Sequence, residues 1–391
     1  MDMQNMFADR VKGIKASAIR EIFKLIGQSD IISLAGGNPA PETFPAKELA
    51  EISKEILTEK PDVALQYGIT DGYAPLRELV HERMKKLGVA GEDDVTIITT
   101  GAQQAIDLAM RVLVNDGEGI AVEEPSFIGT LNSARTYRAK LYGVPIEEDG
   151  MNMEKLEELL KTGKIKLIYT IATFQNPTGI TMSLEKRKKL LELASKYNVF
   201  ILEDNPYGDL RFSGEDVPTI KSLDTEGRVI YDGTFSKILS AGLRIGWATA
   251  NKQIIERMVV AKQVNDVHTP LLNQMMAAEY MTKYSLDDHI KEIRKLYGRK
   301  CKKMLAAMDE YFPKTCTYTR PEGGLFLFCT MHDGSNSADV LKRAIENKVA
   351  FVPGSTFMVD IEKPTNTFRL NYSMVAEDKI ETAIKALAAA L

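Results

Sequence analysis

Short, almost wholly apolar runs rich in β-branched residues alternate with amphipathic helical stretches through the first two thirds of the sequence. Val95-Thr96-Ile97-Ile98-Thr99, Gly119-Ile120-Ala121-Val122-Glu123, Lys166-Leu167-Ile168-Tyr169-Thr170-Ile171, Val199-Phe200-Ile201-Leu202-Glu203, Val229-Ile230-Tyr231 and Ile245-Gly246-Trp247-Ala248-Thr249 read as strands. Residues 102–114 and 185–197 read as helices between them. A strand apolar on both faces must be covered on both, and crossover helices do this in a parallel sheet. The expectation is an α/β chain whose large domain, residues 46–285, holds a mostly parallel (mixed) seven-stranded sheet covered by helices. After about residue 285 the pattern changes to a long charged helix over 286–311, a strand over 323–328, a helix over 338–347, two short strands near 349–351 and 368–371, and a last helix. This predicts a smaller α+β domain over 286–391, joined by an N-terminal segment, 1–45. In that segment Ile14, Ala18, Ile22 and Leu25 have helical spacing.

The bulk numbers narrow the function classes. The chain has 391 residues, enough for two ordinary domains, with 44% hydrophobic and 27% charged residues. A net charge of −4 gives no electrostatic reason to expect nucleic acid or an anionic membrane. Cys301, Cys316 and Cys329 and the four histidines fall in no ligand spacing, so no metal is expected. Charged residues interrupt the first thirty positions, which excludes a signal peptide, and no run of about 18 apolar residues occurs. A cytoplasmic protein is expected.

The chemistry concentrates in Tyr231-Asp232-Gly233-Thr234-Phe235-Ser236-Lys237, followed by Arg244-Ile245-Gly246-Trp247. A lysine in a crowded, partly dry site can lose its proton and attack a carbonyl. Hydroxyls and an arginine suit a phosphate dianion. A lysine that condenses with an aldehyde beside a phosphate seat is the arrangement pyridoxal phosphate requires. Ligands in open parallel sheets sit beyond the carboxyl ends of strands, and polar residues gather there. Thr100-Gly101-Ala102-Gln103 joins a strand to a helix start, where backbone N–H groups and the helix dipole favour an anion. An ordinary strand–helix turn reads equally well. Asn176 in Gln175-Asn176-Pro177-Thr178-Gly179 could donate to a phenolate oxygen, although such turns are commonly only turns. Asp204 lies where a strand runs into the site, although Asp-Asn-Pro commonly caps or turns. An aspartate against a pyridine nitrogen keeps that nitrogen protonated.

These motifs, with Gln66-Tyr67-Gly68, Glu124-Pro125-Ser126-Phe127, Glu203-Asp204-Asn205-Pro206-Tyr207 and Phe368-Arg369-Leu370, occur in the order found in fold-type I aminotransferases of class I/II, which depend on pyridoxal phosphate. The chain resembles that family over nearly all its length. The resemblance implies the fold-type I architecture. It also implies a Schiff base between Lys237 and pyridoxal 5'-phosphate, with Lys237 moving the α-proton and Asp204 holding the pyridinium nitrogen. Asn176 and Tyr207 would bind the ring oxygen. Phe127 would stack on the ring, where many relatives have tyrosine. Ala102 and Gln103, by backbone N–H, would seat the phosphate with Thr234, Ser236 and Arg244. Tyr67 would reach the phosphate from the partner subunit of an obligate homodimer. Arg369 would clamp the substrate α-carboxylate; a strand-edge salt bridge is its plainer reading.

Ser17-Ala18-Ile19-Arg20-Glu21, Leu34-Ala35-Gly36-Gly37-Asn38-Pro39 and Phe44-Pro45 are similar to the 2-aminoadipate and kynurenine aminotransferase subgroup. There the N-terminal helix lies over the active site and rearranges with substrate, which would bring Arg20 to the substrate side chain; Gly37 is expected beside the substrate, where only a glycine lets the backbone approach so closely. A solvated arginine is the competing reading for Arg20. The implied reaction is ping-pong transfer of an amino group from an aminoadipate, aromatic or branched-chain L-amino acid to a 2-oxo acid, 2-oxoglutarate being the expected acceptor. A C–S β-lyase shares the fold and the lysine. A silent ligand-binding regulator is a further reading, against which only about 30 residues precede Gly36-Gly37.

Overall fold

The computed structural model describes residues 6–12 and 30–391. The helical spacing around Ile14 to Leu25, and Arg20 with it, lie outside the described residues. The strands, in chain order, are β1 (Ile32–Ser33), β2 (Asp94–Thr99), β3 (Gly119–Glu124), β4 (Lys140–Glu147), β5 (Gly150–Met151), β6 (Ile165–Thr170), β7 (Phe200–Asp204), β8 (Val229–Thr234), β9 (Gly246–Asn251), β10 (Cys316–Tyr318), β11 (Phe326–Met331), β12 (Val349–Ala350), β13 (Val352–Pro353) and β14 (Thr367–Asn371).

One sheet runs β2-β9-β8-β7-β6-β3-β4-β5. Strands β8, β7, β6, β3 and β4 pair in parallel, and β9 is antiparallel to both its neighbours, β2 and β8. The expected seven strands are all present. An eighth, the two-residue β5, folds back on β4 through Glu148-Asp149, with Gly150 at φ 115°. Strand β4 is the one whose position the sequence hides. Gly143 and Pro145 interrupt it, and it is half exposed where the central strands are buried, as befits a strand near the rim.

Parallel strands put all their carboxyl ends on one edge of the sheet. Thr99, Glu124, Thr170, Asp204 and Thr234 end their strands on that edge. Because β9 runs the other way, its amino end meets the same edge, and Arg244 arrives there two residues before the strand begins. Gly246 makes that meeting possible. A Cβ on it would lie 2.6 Å from the carbonyl carbon of Gly101 and 2.7 Å from the nitrogen of Ala102. Both are backbone atoms that cannot swing aside.

The remaining strands lie apart from this sheet. Strands β10-β11-β14-β13 form an antiparallel sheet, and β1 pairs in parallel with β12, so residues near the start of the chain are hydrogen-bonded to residues near its end. The helix Leu286–Tyr311 buries Ile290, Ile293, Tyr297, Cys301, Met304 and Met308 at three- and four-residue spacing, and packs along the terminal helix Ile380–Ala388. Asn371 N–H donates to Leu34 O, and Ser373 Oγ lies 2.6 Å from Asn38 O, which fixes the Gly36-Gly37 loop against this second sheet.

Gly246→Ala is expected to lower the unfolding free energy by about 1–3 kcal/mol, through overpacking against backbone. Denaturant titration measures it, and a variant as stable as the parent would show that the β9–helix contact relaxes freely.

Candidate active site

The carboxyl edge of the large sheet closes on a cavity of about 340 Å³. A larger hollow of about 760 Å³ around Arg320 and Pro321 lies elsewhere, but the perturbed titratable groups gather at the first. Gly37, Ala102, Gln103, Phe127, Asn176, Asp204, Tyr207, Thr234, Ser236, Lys237, Arg244 and Arg369 all line it. Of the residues singled out from sequence, Tyr67 lies apart from this cavity, 81% exposed and edge-on to His268.

One end of the cavity is an anion seat. Helix Ala102–Leu113 begins after Gly101, at φ 77°, with no side-chain cap, so its first-turn N–H groups face outward. The Arg244 guanidinium lies so close above that a Cβ at Gly101 would stand 2.5 Å from its Nη2. Thr234 and Ser236 hydroxyls sit 2.9 Å apart, and Arg244 Nη1 lies 3.5 Å from the Ser236 oxygen. Two hydroxyls, a guanidinium and a helix N-terminus converge there, which suits a dianionic phosphate.

At the middle stand Asp204 and Lys237. Asp204 is buried; its Oδ2 accepts from Tyr169 Oη at 2.6 Å, and its Oδ1 has no donor among the described residues. Burial raises its pKa to about 6, against the hydrogen bond from Tyr169, the neighbouring Asp232 carboxyl and the charge of Lys237. Lys237 Nζ donates to Gly37 O at 2.8 Å. Burial, then the charges of Arg244 and Arg369, lower its pKa to about 8, with Asp204 opposing. An amine so placed is half-way to a nucleophile and base near neutral pH. Phe127 and Ile171 supply apolar walls.

At the far end Arg369 is buried between two rings, Phe326 at 4.1 Å and Phe357 at 4.8 Å. Its Nη1 donates to Asn176 Oδ1 and its Nη2 to Ala35 O, both at 2.7 Å, while Nε has no partner among the described residues. Burial lowers its pKa to about 10. Asn176 Nδ2 also lies 3.4 Å from the Tyr207 hydroxyl, which burial holds strongly protonated. The Asn176 turn is braced from below. Glu123, fully inside the protein, accepts from Thr170 Oγ1, Ile171 N–H and Gln175 Nε2, and Gln175 in turn receives Thr178 N–H.

An orphaned carboxylate oxygen, an amine of lowered pKa and an anion seat lie along one cavity with apolar walls. That set fits a flat, phosphate-bearing aldehyde with a basic ring nitrogen, which is the outline of pyridoxal phosphate. The family pattern of class I and II aminotransferases matches residues 29–387. The chain belongs to that family. This aminotransferase is 46% identical to aromatic-amino-acid aminotransferase 1 of Thermococcus litoralis, over 99% of this chain and 94% of the relative. Its fold is similar to that of Pyrococcus horikoshii kynurenine aminotransferase, solved with PMP, KYN and KYA. The TM-score is 0.95 and the identity 44%, covering 100% of this chain and 97% of that one. It is also similar to the α-aminoadipate aminotransferase LysN of Thermus thermophilus, complexed with N-(5'-phosphopyridoxyl)-L-leucine. There the TM-score is 0.92 and the identity 38%, over 100% and 98% of the chains. The chain is therefore a transaminase of the fold-type I architecture. The β-lyase and silent-regulator readings are not favoured.

Several residues in or behind the cavity of the aminotransferase escape sequence reading. Tyr169 sits in the apolar run of β6 and looks like core; its hydroxyl is the polar atom that betrays it, and only the β6–β7 pairing shows that it meets Asp204. Phe326 and Phe357, which sandwich Arg369, likewise read as core.

The Asp204 pKa gives a signed prediction. A carboxyl raised from 3.8 to about 6 adds stability below its unfolded pKa, and loses it as pH rises through the folded value. Cofactor-free Asp204→Asn should match the parent below about pH 4 and exceed it by about 1–3 kcal/mol above about pH 6. Urea midpoints across that range read the difference; a variant less stable than the parent at neutral pH would contradict the burial argument.

Proposed function

We propose that this aminotransferase moves the amino group of an L-amino acid of aromatic, aminoadipate or branched-chain type to a 2-oxo acid, with 2-oxoglutarate as acceptor, in a ping-pong cycle. The observation that carries this reading is the joint presence of Lys237, Asp204 and Arg369 along one cavity. The names of the relatives support the donor classes. Pyridoxal 5'-phosphate, bound there, supplies a ring that stabilises negative charge at the substrate α-carbon. Lys237 Nζ takes the α-proton and returns it, and a pKa of about 8 suits that task near neutrality. Asp204 Oδ1 would keep a proton on the ring nitrogen. Asn176 and Tyr207 would bind the ring oxygen, and Phe127 would support the ring. Thr234, Ser236, Arg244 and the N–H groups of Ala102 and Gln103 would hold the phosphate. Arg369 orients the α-carboxylate, with the Gly37 main chain beside it; a Cβ at Gly37 would come within 3.1 Å of the Phe326 ring. Arg20 belongs to the same proposal as a side-chain contact.

The working unit is proposed to be a homodimer. Leu65, Tyr67, Ile69, Val264 and Val267 form an unusually apolar exposed set, and Gly68 N–H to His268 Nε2 ties its two segments together. A second copy covering this face would bring Tyr67 to its neighbour's phosphate seat. The pairing of β1 with β12 supports a division into 1–45, 46–285 and 286–391, with the first segment joining the third. Three unpaired, buried cysteines fit a cytoplasmic setting.

Lys237→Ala should lose at least about a thousandfold in kcat with its fold intact; full turnover refutes the assignment. A panel of amino acids against 2-oxoglutarate, ranked by kcat/KM, identifies the donor. Release of pyruvate and ammonia from a cysteine conjugate, independent of any oxo acid, would instead favour lyase chemistry. Mixing Tyr67→Ala with Lys237→Ala should restore part of the activity through hybrid dimers, and no recovery would count against a shared site.

A further inference from the structure

Asp232 is wholly buried, and among the described residues neither of its carboxyl oxygens has a hydrogen-bond donor. The register of β7 with β8 sets Asp204 directly against Asp232. Side chains at paired positions of neighbouring parallel strands leave the sheet on the same face. Their carboxyl groups stand close enough for one to hydrogen-bond the other if it keeps its proton. Asp204 Oδ1, otherwise without a donor, is the atom left to receive that contact.

Two carboxylates in contact and away from water cannot both be ionised. The charged and titratable groups around the pair decide which keeps the proton. They are Tyr169 on β6, Glu203 on β7, Tyr231 on β8, and Lys237 in the turn after β8. On β9 the facing residue is Ala248. Helix Ala102–Leu113 packs over β8, and its charged Asp107 and Arg111 pair with each other. Lys237 acts on Asp204, and Tyr169 donates to Asp204. What acts on Asp232 is burial, then Asp204 and Glu203, all of which hold its proton on.

We propose that Asp232 is a neutral carboxylic acid that donates its proton to Asp204 Oδ1, so holding the Asp204 carboxylate ionised and aimed into the cavity. Asp232 is a positioning residue. A carboxylate oxygen has two lone pairs, so Oδ1 accepts from Asp232 and still faces a ring N–H. Each donor to Asp204 makes it a weaker base, so Asp232 and Tyr169 together set how firmly it grips the proton on that ring. The last step rests on the function proposed above; the protonation of Asp232 does not.

The test is infrared spectroscopy of the full-length holoenzyme at about pH 8, where Asp204 is ionised, with 13C at the aspartate carboxyls. The parent should show an isotope-sensitive band of a protonated carboxylic acid, and Asp232→Asn should lack it. In equilibrium dialysis against pyridoxal 5'-phosphate, Asp232→Asn, whose Nδ2 donates in the same place, should keep affinity within about threefold. Asp232→Leu should weaken it about tenfold or more. A parent without the band, or Asp232→Leu binding as tightly as Asp232→Asn, overturns the proposal. The band is read in the parent whether or not cofactor binds, so failure to take up pyridoxal phosphate removes only the proposed function.

Discussion

Exclusion of water at the carboxyl edge of the large sheet governs the chemistry of this chain. Lys237, Asp204 and Arg369 are ordinary side chains that would be fully charged in solution. Here burial pushes all three toward neutrality; Lys237 and Asp204 support each other's charge, while the positive charge of Arg369 works against that of Lys237. Such groups cost stability unless something completes them. The remaining lone pair of Asp204 Oδ1 and the Nε of Arg369 are where completion is missing among the described residues.

Sheet topology explains how residues more than 100 positions apart in sequence, such as Ala102 and Arg244, come to share this place. Five parallel strands deliver their last residues to one edge, and the reversed β9 delivers its first. Glycines at 101 and 246 let main chain touch main chain, so the anion seat is built from backbone that side-chain drift cannot easily shift.

Much of this was legible in the sequence because parallel strands announce themselves. Buried on both faces, β3, β6, β7 and β8 have nearly unbroken apolar runs, and the polar residue that ends each run marks the edge where ligands go. Strand β4 was not legible, since a half-exposed strand with Gly143 and Pro145 has no such signature. The lysine, aspartate and arginines could be picked out because their types carry chemistry wherever they occur. Tyr169, Phe326 and Asp232 could not, because their meaning comes from lateral pairing and packing, and a linear string holds neither. Tyr67 is a different case: the single chain leaves it on the surface, and only an assembly would give it a task.

The two aromatic faces around Arg369 have a stereochemical consequence. A guanidinium pressed between rings is open to ligands only along its rim, so any carboxylate that pairs with it must arrive in that plane. The direction of the bond leading away from the carboxyl carbon is then set before anything else about the molecule is read. With the Lys237 amine fixed at a second point and the apolar walls at a third, mirror-image ligands present different groups to the base, and the cavity becomes a gauge of handedness.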